Sequence, residues 1–252
     1  MNIQYSVVIP VYNEQECLVI LNQEVQKGLR NLGKRFEILF VDDGSTDQSR
    51  EIIEALTRKD PSVRGIFLDR NRGQSTALVA GCRSARGEFV ITMDADCQNN
   101  PADILRFIPL LKTADVVNGI RTQRNDSLIR KISSKIGNGF RNWMTNENIS
   151  DVGCSLRIIR TSFLKEIPCF NGMHRFLPTL LRMQGARIAE VAVTHRPRFA
   201  GKAKYGICNR LFVGFVDVFG VWWLQRRKLE YHATYSENAK DESSVQRIQN
   251  VR

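Results

Sequence analysis

Short apolar runs that alternate with helical stretches constrain the fold of this chain more than any other feature. The apolar runs have the composition of strands and lie at 6–9, 38–41, 64–68, 89–92 and 115–118. The stretches with a helical pattern include 15–32, 73–86 and about 130–143. Strands that alternate with helices favour a parallel sheet covered by helices on both faces. We therefore predict an α/β fold, and 252 residues are enough for one sizeable core.

Two carboxylates follow the strand at 89–92 directly. Asp94 and Asp96 would lie on the same side of an extended chain, because successive side chains of a strand alternate between its two faces. Carboxylate oxygens are hard ligands that suit a divalent cation. Open α/β sheets bind ligands at the carboxyl ends of their strands. For such a pair by itself, a solvated acidic turn is the alternative interpretation.

Polar loops follow two other strands, and they favour the ligand site over the acidic turn. Pro10 stops the first strand, and a polar loop leads from it into the next helix. The second strand runs into the polar segment 42–47, where Ser45 or Thr46 is expected to cap the following helix. Both loops place polar groups at strand ends.

These strand ends carry four motifs whose order and spacing resemble those of inverting family 2 glycosyltransferases with the GT-A fold. Within that family the chain is most similar to polyprenyl-phosphate sugar transferases of the dolichol-phosphate mannose synthase type. The motifs lie at 9–14, 41–47, 71–73 and 93–96, and the resemblance runs from about residue 5 to residue 227. It implies a Rossmann-like, mostly parallel sheet flanked by helices, with a C-terminal amphipathic helical segment.

The resemblance also implies metal-dependent transfer of a hexose, with Mg²⁺ or Mn²⁺ as the cofactor. Asp94 and Asp96 would hold the metal, which neutralises charge on the departing diphosphate. Ordinary packing is the alternative for Tyr12, and bracing of the turn is the alternative for Asp42. The residues assigned to the donor, a GDP- or UDP-sugar, are Pro10, Tyr12, Glu14, Val41, Asp43, Asp94, Ala95, Asp96, Gln98, Arg198 and Lys204.

Charge is distributed unevenly along the chain. Residues 1–120 hold 14 basic and 16 acidic side chains, whereas 121–228 hold 20 basic and 6 acidic side chains, a net charge of +14. Such a basic half suits an anionic acceptor or an anionic membrane surface. Nucleic acid is not an expected partner, because the aromatic and basic signatures of RNA-binding modules are absent.

A second group of candidate residues follows the strand at 115–118. Arg130 and Ser134 lie four positions apart on a predicted helix, so they share a face and can bind one phosphate together. The resemblance assigns the phosphate of a lipid acceptor to Arg121, Arg130 and Ser134. A solvated helix face is the alternative for Arg130.

The resemblance places the carboxylate of Asp151 near the acceptor. A hydroxyl acceptor needs a base to take its proton, whereas a phosphate acceptor is already an anion. Asp151 is therefore a candidate catalytic residue, with an orienting role as the alternative. Further along the chain, the resemblance assigns the donor diphosphate to Arg198 and Lys204, in a loop that Gly201 makes pliable enough to close.

An apolar segment at 211–224 precedes a basic cluster at 226–228. Its fourteen residues fall short of the ~20 that span a bilayer. Trp222 and Trp223, together with the basic cluster, favour an amphipathic helix in a membrane interface. Burial against the sheet is the alternative. The polar segment 229–252 lacks periodicity and is predicted to be a disordered tail.

We therefore predict one GT-A domain with three functional regions. The domain covers 1–228, and the regions for nucleotide sugar, acceptor and interface are 1–120, 121–210 and 205–228. Strand pattern begins almost at the first residue, without a signal peptide, and the six cysteines show no C-x-x-C spacing. Both observations favour free thiols in a reducing compartment.

The expected function is inverting sugar transfer from a nucleotide sugar to polyprenyl phosphate, undecaprenyl or dolichyl. We expect a peripheral protein on the cytoplasmic side of a membrane, with a small transmembrane partner protein as a further candidate. One alternative is a family 2 transferase that acts on a saccharide or protein hydroxyl. Another is a nucleotide-sugar binding module without turnover.

Overall fold

A computed structural model gives the fold of residues 3–121, 128–197 and 207–227, with the side chains at 128–136 and 207–213 excepted. The strands in this part of the chain are β1 (Tyr5–Val11), β2 (Phe36–Asp42), β3 (Val63–Phe67), β4 (Phe89–Thr92), β5 (Val116–Arg121), β6 (Arg157–Arg160) and β7 (Ile188–Val193). The helices are α1 (Leu18–Arg30), α2 (Ser49–Lys59), α3 (Gln74–Ser84), α4 (Ile104–Phe107), α5 (Leu128–Thr145), α6 (Leu177–Met183) and α7 (Ile207–Arg226).

The strands form one sheet in the order β3-β2-β1-β4-β6-β5-β7. β6 is antiparallel to its neighbours β4 and β5, and the other pairs are parallel. The carboxyl ends of β1, β2, β4 and β5 therefore meet at one edge of the sheet. The predicted α/β class with a mostly parallel sheet is confirmed. The boundary expected at 120/121 falls inside β5, so the two halves share this sheet.

Apolar side chains cover both faces of the sheet. Val7 and Ile9 point to one face, where they pack with Leu21 and Val25 of α1. Val8, between them, points to the other face, where α3, α6 and α7 pack. A strand buried on both sides has a continuous apolar run, and this explains the composition of the central strands.

The small residues of α3 allow this helix to lie very close to the sheet. A Cβ atom at Gly81 would come within 2.3 Å of Val8 Cγ1 and 3.0 Å of Val41 Cγ2. Any larger residue there would push α3 away from β1 and β2. The amino terminus of α3, at Gln74, would move with it.

Ser45 and Thr46 do not cap α2, and that prediction was wrong. α2 begins at Ser49, and its N-cap residue, Gln48, makes no side-chain cap bond. Ser45 Oγ instead accepts a hydrogen bond of 3.0 Å from the Asn13 amide. The Thr46 amide donates to Asn13 Oδ1 at 2.7 Å. Ser45 and Thr46, which were expected to cap α2, therefore bind the loop after β1 instead.

α7 has one buried face and one exposed face. Val218 and Val221 are buried against the sheet layer, whereas Phe219 and Trp223 are about half exposed. One face of α7 thus joins the core, as the burial alternative expected, and the membrane-interface role of the other face stays a prediction. Among the helices of the described residues, none has the length and apolar character to cross a bilayer. The predicted tail at 229–252 lies outside the described residues.

Candidate active site

Asp94 and Asp96 lie just beyond the carboxyl end of β4, at the edge where four strands end. Asp94 Oδ1 accepts a hydrogen bond of 2.9 Å from Gln74 Nε2, at the first residue of α3. The side chain of Ser155 also bonds to Asp94. Asp96 is buried, and its Oδ1 accepts from the Gln98 amide at 3.2 Å. The two carboxylates are therefore held in place by two other segments, at Gln74 and Ser155, and by their own loop.

The electrostatics of this pair suit a cation. Burial, and then the charge of Asp96, raises the pKa of Asp94 to about 6. Ser155, Arg157 and Arg121 act in the opposite direction. A metal ion beside both carboxylates would remove the cost of placing two negative charges close together.

The carboxylates fit a metal that is shared with a substrate. In the described part of the chain, no three His, Cys, Asp or Glu side chains form a group able to hold a metal ion. Mg²⁺ is commonly held by one or two carboxylates together with substrate phosphates and water. The donor set of Asp94 and Asp96 is of this kind.

The loops after β1 and β2 are fastened to each other and form one wall of the cleft. In addition to the Asn13 contacts, the Glu14 amide donates to Ser49 Oγ at 3.0 Å. Pro10 and Tyr12 are partly buried, while Glu14 and Val41 are buried. The candidate nucleoside residues therefore lie on two loops that are hydrogen-bonded to each other, beside the end of β4.

Asp43 holds the start of α3. Its Oδ1 accepts from the Arg72 amide at 2.7 Å, and its Oδ2 accepts from the Gly73 amide at 2.8 Å. Burial raises the pKa of Asp43 in spite of these two bonds. The neighbouring Asp42 accepts from the Ser45 amide at 3.2 Å. Both Asp42 and Asp43 therefore brace backbone at this strand end, Asp42 in its own turn and Asp43 at the start of α3.

Asp151 and Arg121 form a two-pronged ion pair on the other side of the cleft. Arg121 Nε lies 2.8 Å from Asp151 Oδ2, and Arg121 Nη2 lies 2.8 Å from Oδ1. The amides of Arg121 and Gly153 donate to the same carboxylate, at 3.2 and 3.0 Å. Four N–H donors thus converge on Asp151. A Cβ atom at Gly153 would lie 2.5 Å from Arg121 Nη2, so any other residue there would displace this guanidinium.

Arg157 lies beneath this pair, and the sequence analysis gave it no role. Its side chain donates to Asn118 Oδ1 at 2.7 Å, to the Val152 carbonyl at 2.6 Å and to the His174 carbonyl at 3.5 Å. Burial lowers its pKa. The sequence feature that could have drawn attention to Arg157 is a basic residue directly before two isoleucines in a strand-like run. Gln74 and Ser155, which contact Asp94, were also missed.

The segment before the predicted donor-phosphate loop runs beside Asp96. The Arg196 amide donates to the Gln98 carbonyl at 2.9 Å, and the Arg196 side chain pairs with Glu24 at 2.8 Å. His195 forms an isolated antiparallel bridge with Asn99. The chain therefore reaches residue 197 next to the metal-site candidates. Arg198 and Lys204 lie outside the described residues.

Of the three candidate ligands for the acceptor phosphate, the structure describes the side chain of Arg121 only. Arg121 ends β5 at the cleft. Arg130 and Ser134 both fall in α5, so the predicted helix is present at these positions. Their side chains lie outside the described part.

Comparison with known proteins identifies the family. The model of the family described as glycosyl transferase family 2 matches residues 6–168. The chain belongs to glycosyl transferase family 2. The chain is 41% identical over 204 residues to undecaprenyl-phosphate 4-deoxy-4-formamido-L-arabinose transferase of Edwardsiella ictaluri. It is 36% identical over 235 residues to dodecaprenyl-phosphate galacturonate synthase of Rhizobium johnstonii.

The matches differ in how much of each protein they cover. They include 80% and 90% of this chain, but 63% and 69% of the two relatives. The chain thus spans less than two thirds of the first relative's length. This family 2 chain also resembles solved glycosyltransferase structures. Glucosyl-3-phosphoglycerate synthase from Mycobacterium tuberculosis, in complex with Mn²⁺, UDP and phosphoglyceric acid, gives a TM-score of 0.65 at 16% identity, over 92% of this chain and 82% of that one.

A second solved structure gives the same result for the fold. The mannosyltransferase from Pyrobaculum calidifontis in complex with GDP-Man and Mn²⁺ has a TM-score of 0.62 at 18% identity, over 90% of this chain and 64% of that one. At these identities the likeness concerns the fold. The predicted GT-A fold and membership of family 2 are confirmed.

Proposed function

We propose that this protein is an inverting, metal-dependent glycosyltransferase that moves a sugar from a GDP- or UDP-sugar to polyprenyl phosphate, undecaprenyl or dolichyl. Two relatives that are 41% and 36% identical to it over the aligned residues carry names of undecaprenyl- and dodecaprenyl-phosphate enzymes. The observation that carries the proposal is that Asp94 and Asp96 lie at the same edge of the sheet as the pair Arg121–Asp151, near enough for the charge of Arg121 to lower the pKa of Asp94. Carboxylates suited to a metal and an oriented guanidinium suited to an anion support transfer between a nucleotide sugar and a phosphate.

The donor would lie along the wall formed by the loops after β1 and β2. Pro10, Tyr12, Glu14, Val41 and Asp43 are the proposed nucleoside contacts, with Ala95 and Gln98 beside the diphosphate. Mg²⁺ or Mn²⁺ held by Asp94 and Asp96 would neutralise charge on the departing diphosphate. Arg198 and Lys204 are proposed to bind the same diphosphate from the loop that begins after residue 197.

The acceptor would approach from the side of Arg121, with Arg130 and Ser134 of α5 as further phosphate ligands. An oxygen of the lipid phosphate attacks the anomeric carbon on the face opposite the leaving group, and the configuration there inverts. This oxygen is already deprotonated near neutral pH, so the attack requires no general base. Arg121 orients the phosphate by charge-assisted hydrogen bonds.

Asp151 is proposed to orient Arg121. A general base needs a lone pair directed at the proton that it removes. The carboxylate of Asp151 instead accepts four N–H groups from Arg121 and Gly153. This arrangement suits a phosphate acceptor better than a hydroxyl acceptor, which would need the base.

We also propose that α7 attaches the protein to the cytoplasmic face of an anionic membrane. Its exposed side carries Phe215, Phe219 and Trp223, and Trp143 of α5 is 75% exposed beside them. The Arg226 guanidinium lies 4.3 Å from the ring centre of Trp222. Aromatic rings with adjacent cations are suited to the membrane interface. A small transmembrane partner protein on the same face is the other candidate.

Incubation with radiolabelled GDP- and UDP-sugars, undecaprenyl phosphate and Mg²⁺ or Mn²⁺ tests the proposal. We expect label in the organic phase, released again by mild acid as free sugar. Asp96→Asn should lower the signal more than tenfold. Asp60→Asn, in the turn before β3 at the opposite edge of the sheet, should retain it. Transfer to water-soluble saccharides or to protein, with none to lipid, would replace this function by the hydroxyl-acceptor alternative. Nucleotide-sugar binding without any transfer would favour a binding module.

A further inference from the structure

Arg157 is the most deeply placed cation among the described residues of the cleft. It stands at the first position of β6, opposite Thr92 of β4 and Asn118 of β5. Its side chain is 3% exposed. The ion pairs within the described residues do not include Arg157. Its three acceptors, on Asn118, Val152 and His174, are uncharged. A buried arginine that is bonded only to neutral groups is costly, so it calls for an explanation beyond packing.

The contacts of Arg157 converge on the segment that carries Asp151. Arg157 Nη2 donates to the Val152 carbonyl at 2.6 Å. Arg157 Nε donates to Asn118 Oδ1 at 2.7 Å, which turns the amide of Asn118 so that its Nδ2 donates to the Asp151 carbonyl at 3.1 Å. Both carbonyls of this dipeptide are thus tied, directly or through Asn118, to one guanidinium.

The Asp151 carboxylate in turn holds Arg121. Its two oxygens accept from Arg121 Nε and Nη2 at 2.8 Å each. The direction of the Arg121 guanidinium is therefore set by Asp151, whose main chain is set by Arg157. The third bond, from Arg157 Nη1 to the His174 carbonyl, is longer at 3.5 Å, and the contact of Arg157 with Asp94 is through its charge. The short, directional bonds of Arg157 therefore go to the Asp151 segment and to Asn118, which holds that segment.

We propose that Arg157 is a positioning residue for the acceptor phosphate, acting through Asp151 and Arg121. This inference rests on the proposed function, since the acceptor is the polyprenyl phosphate assigned there. Three divergent N–H groups are needed for the task. Lysine would keep the charge but could not hold Asn118, Val152 and His174 from one planar group.

Steady-state kinetics with Arg157→Lys and Arg157→Gln test the proposal. We expect the KM for undecaprenyl phosphate to rise about tenfold in Arg157→Lys, as when one charge-assisted hydrogen bond is misplaced. The Kd of the nucleotide sugar, measured by calorimetry, should change less than about twofold. Arg160→Gln is the matched control, because Arg160 ends the same strand at the opposite edge of the sheet, opposite Phe89. It should leave both constants unchanged.

A double-mutant cycle separates this role from simple packing. In an Arg121→Ala background, Arg157→Lys should raise the acceptor KM by less than about twofold, because the residue through which it acts is gone. Equal effects in both backgrounds, or equal losses of donor and acceptor affinity, would overturn the proposal.

Hydrogen–deuterium exchange supplies a readout that does not need transfer. Arg157→Lys should speed exchange at 150–154 and leave 73–76, at the start of α3, unchanged. Unchanged exchange at 150–154 would refute the positioning role, even for a protein with a different acceptor. If the wild type makes no lipid-linked sugar but Arg157→Lys loosens 150–154, the proposed function fails and the positioning role stands.

Discussion

Asp151→Asn separates an orienting carboxylate from a general base. Asparagine has nearly the same shape as aspartate, so the segment at 149–154 can keep its course. However, its NH₂ group would face N–H donors of Arg121 or Gly153, which now meet at 2.8–3.2 Å. One prong of the ion pair is therefore lost, and the other becomes a neutral hydrogen bond.

The size of the effect on stability follows from the burial of the pair. The side chains of Arg121 and Asp151 are 16% and 7% exposed, so the pair is mostly desolvated. Breaking a buried pair costs about 3–5 kcal/mol, and the partial exposure of Arg121 argues for about 3 kcal/mol. For a domain of this size, about 1 kcal/mol lowers the Tm by 2–4 °C. We expect Asp151→Asn to melt about 6–12 °C below the wild type in scanning calorimetry.

The effect on transfer distinguishes the two roles. An orienting role predicts a higher KM for undecaprenyl phosphate, with kcat reduced less than about tenfold. A general base predicts a fall in kcat of ~10²–10⁴. The assay must be run well below the Tm of the variant. Near-background kcat in a folded Asp151→Asn protein would refute the phosphate-acceptor mechanism.

Asp115→Asn supplies a matched control. Asp115 accepts from the amide, Nε and Nη2 of Arg187 at 3.1, 2.9 and 3.2 Å, much as Asp151 does from Arg121. The pair stands at the start of β5, away from the cleft. The Arg187 side chain is 67% exposed and can be hydrated when its partner is removed. The Tm should fall less than in Asp151→Asn, and both kinetic constants should be unchanged.

Four further predictions concern the metal, the pH dependence of its binding, the pH dependence of stability and the membrane. Asp96→Asn should lower kcat more than tenfold, with a fold intact by circular dichroism; full turnover with a chelator present would contradict a metal role. Because the pKa of Asp94 is raised to about 6, Mn²⁺ binding measured by electron paramagnetic resonance should weaken as pH falls through that value. Because the metal-free fold disfavours ionised Asp94, the free energy of unfolding falls as pH rises through about 6. Asp94→Asn should therefore raise the Tm at pH 7.5 but not at pH 4. Equal Tm shifts at both pH values would contradict this dependence. Trp222→Ser with Trp223→Ser should reduce salt-resistant sedimentation with anionic vesicles and leave the Tm unchanged; a lost cooperative melt would assign these rings to the core.

The sequence could predict strands β1 to β5 because local patterns decide them, whereas β7 was not predicted. Four of the central strands are apolar on both faces, and each is followed by polar groups at the edge where the cleft lies. The direction of β6 was not predictable in the same way. Its four residues pair with β4 and β5, which lie far from it in the sequence. Only the complete sheet determines that it runs antiparallel.

The candidate site shows the same division. Asp94 and Asp96 belong to a local motif, so their place after a strand could be predicted. The pairing of Asp151 with Arg121, and of Arg157 with Asn118, could not, because these partners lie 30 and 39 residues away in the sequence. From the sequence alone, an arginine in an apolar strand is most simply interpreted as a surface residue. Its hydrogen-bond acceptors, which show that it is buried, are visible only in the structure. The sequence analysis therefore left base and orienting roles open for Asp151 and passed over Arg157.

Net charge is a poor guide to how this cleft would bind an anion. The net charge of +14 in residues 121–228 suggested a general attraction for phosphate. However, Arg121 and Arg175 form ion pairs with Asp151 and Asp217. Pairing lowers the net positive potential, but it also fixes the guanidinium before the substrate arrives. A fixed arginine loses little side-chain entropy on binding, whereas a free one loses about 0.5–1.5 kcal/mol. Selectivity for a phosphate acceptor would then depend on the direction of Arg121, and hence on Asp151 and Arg157, more than on the number of basic residues.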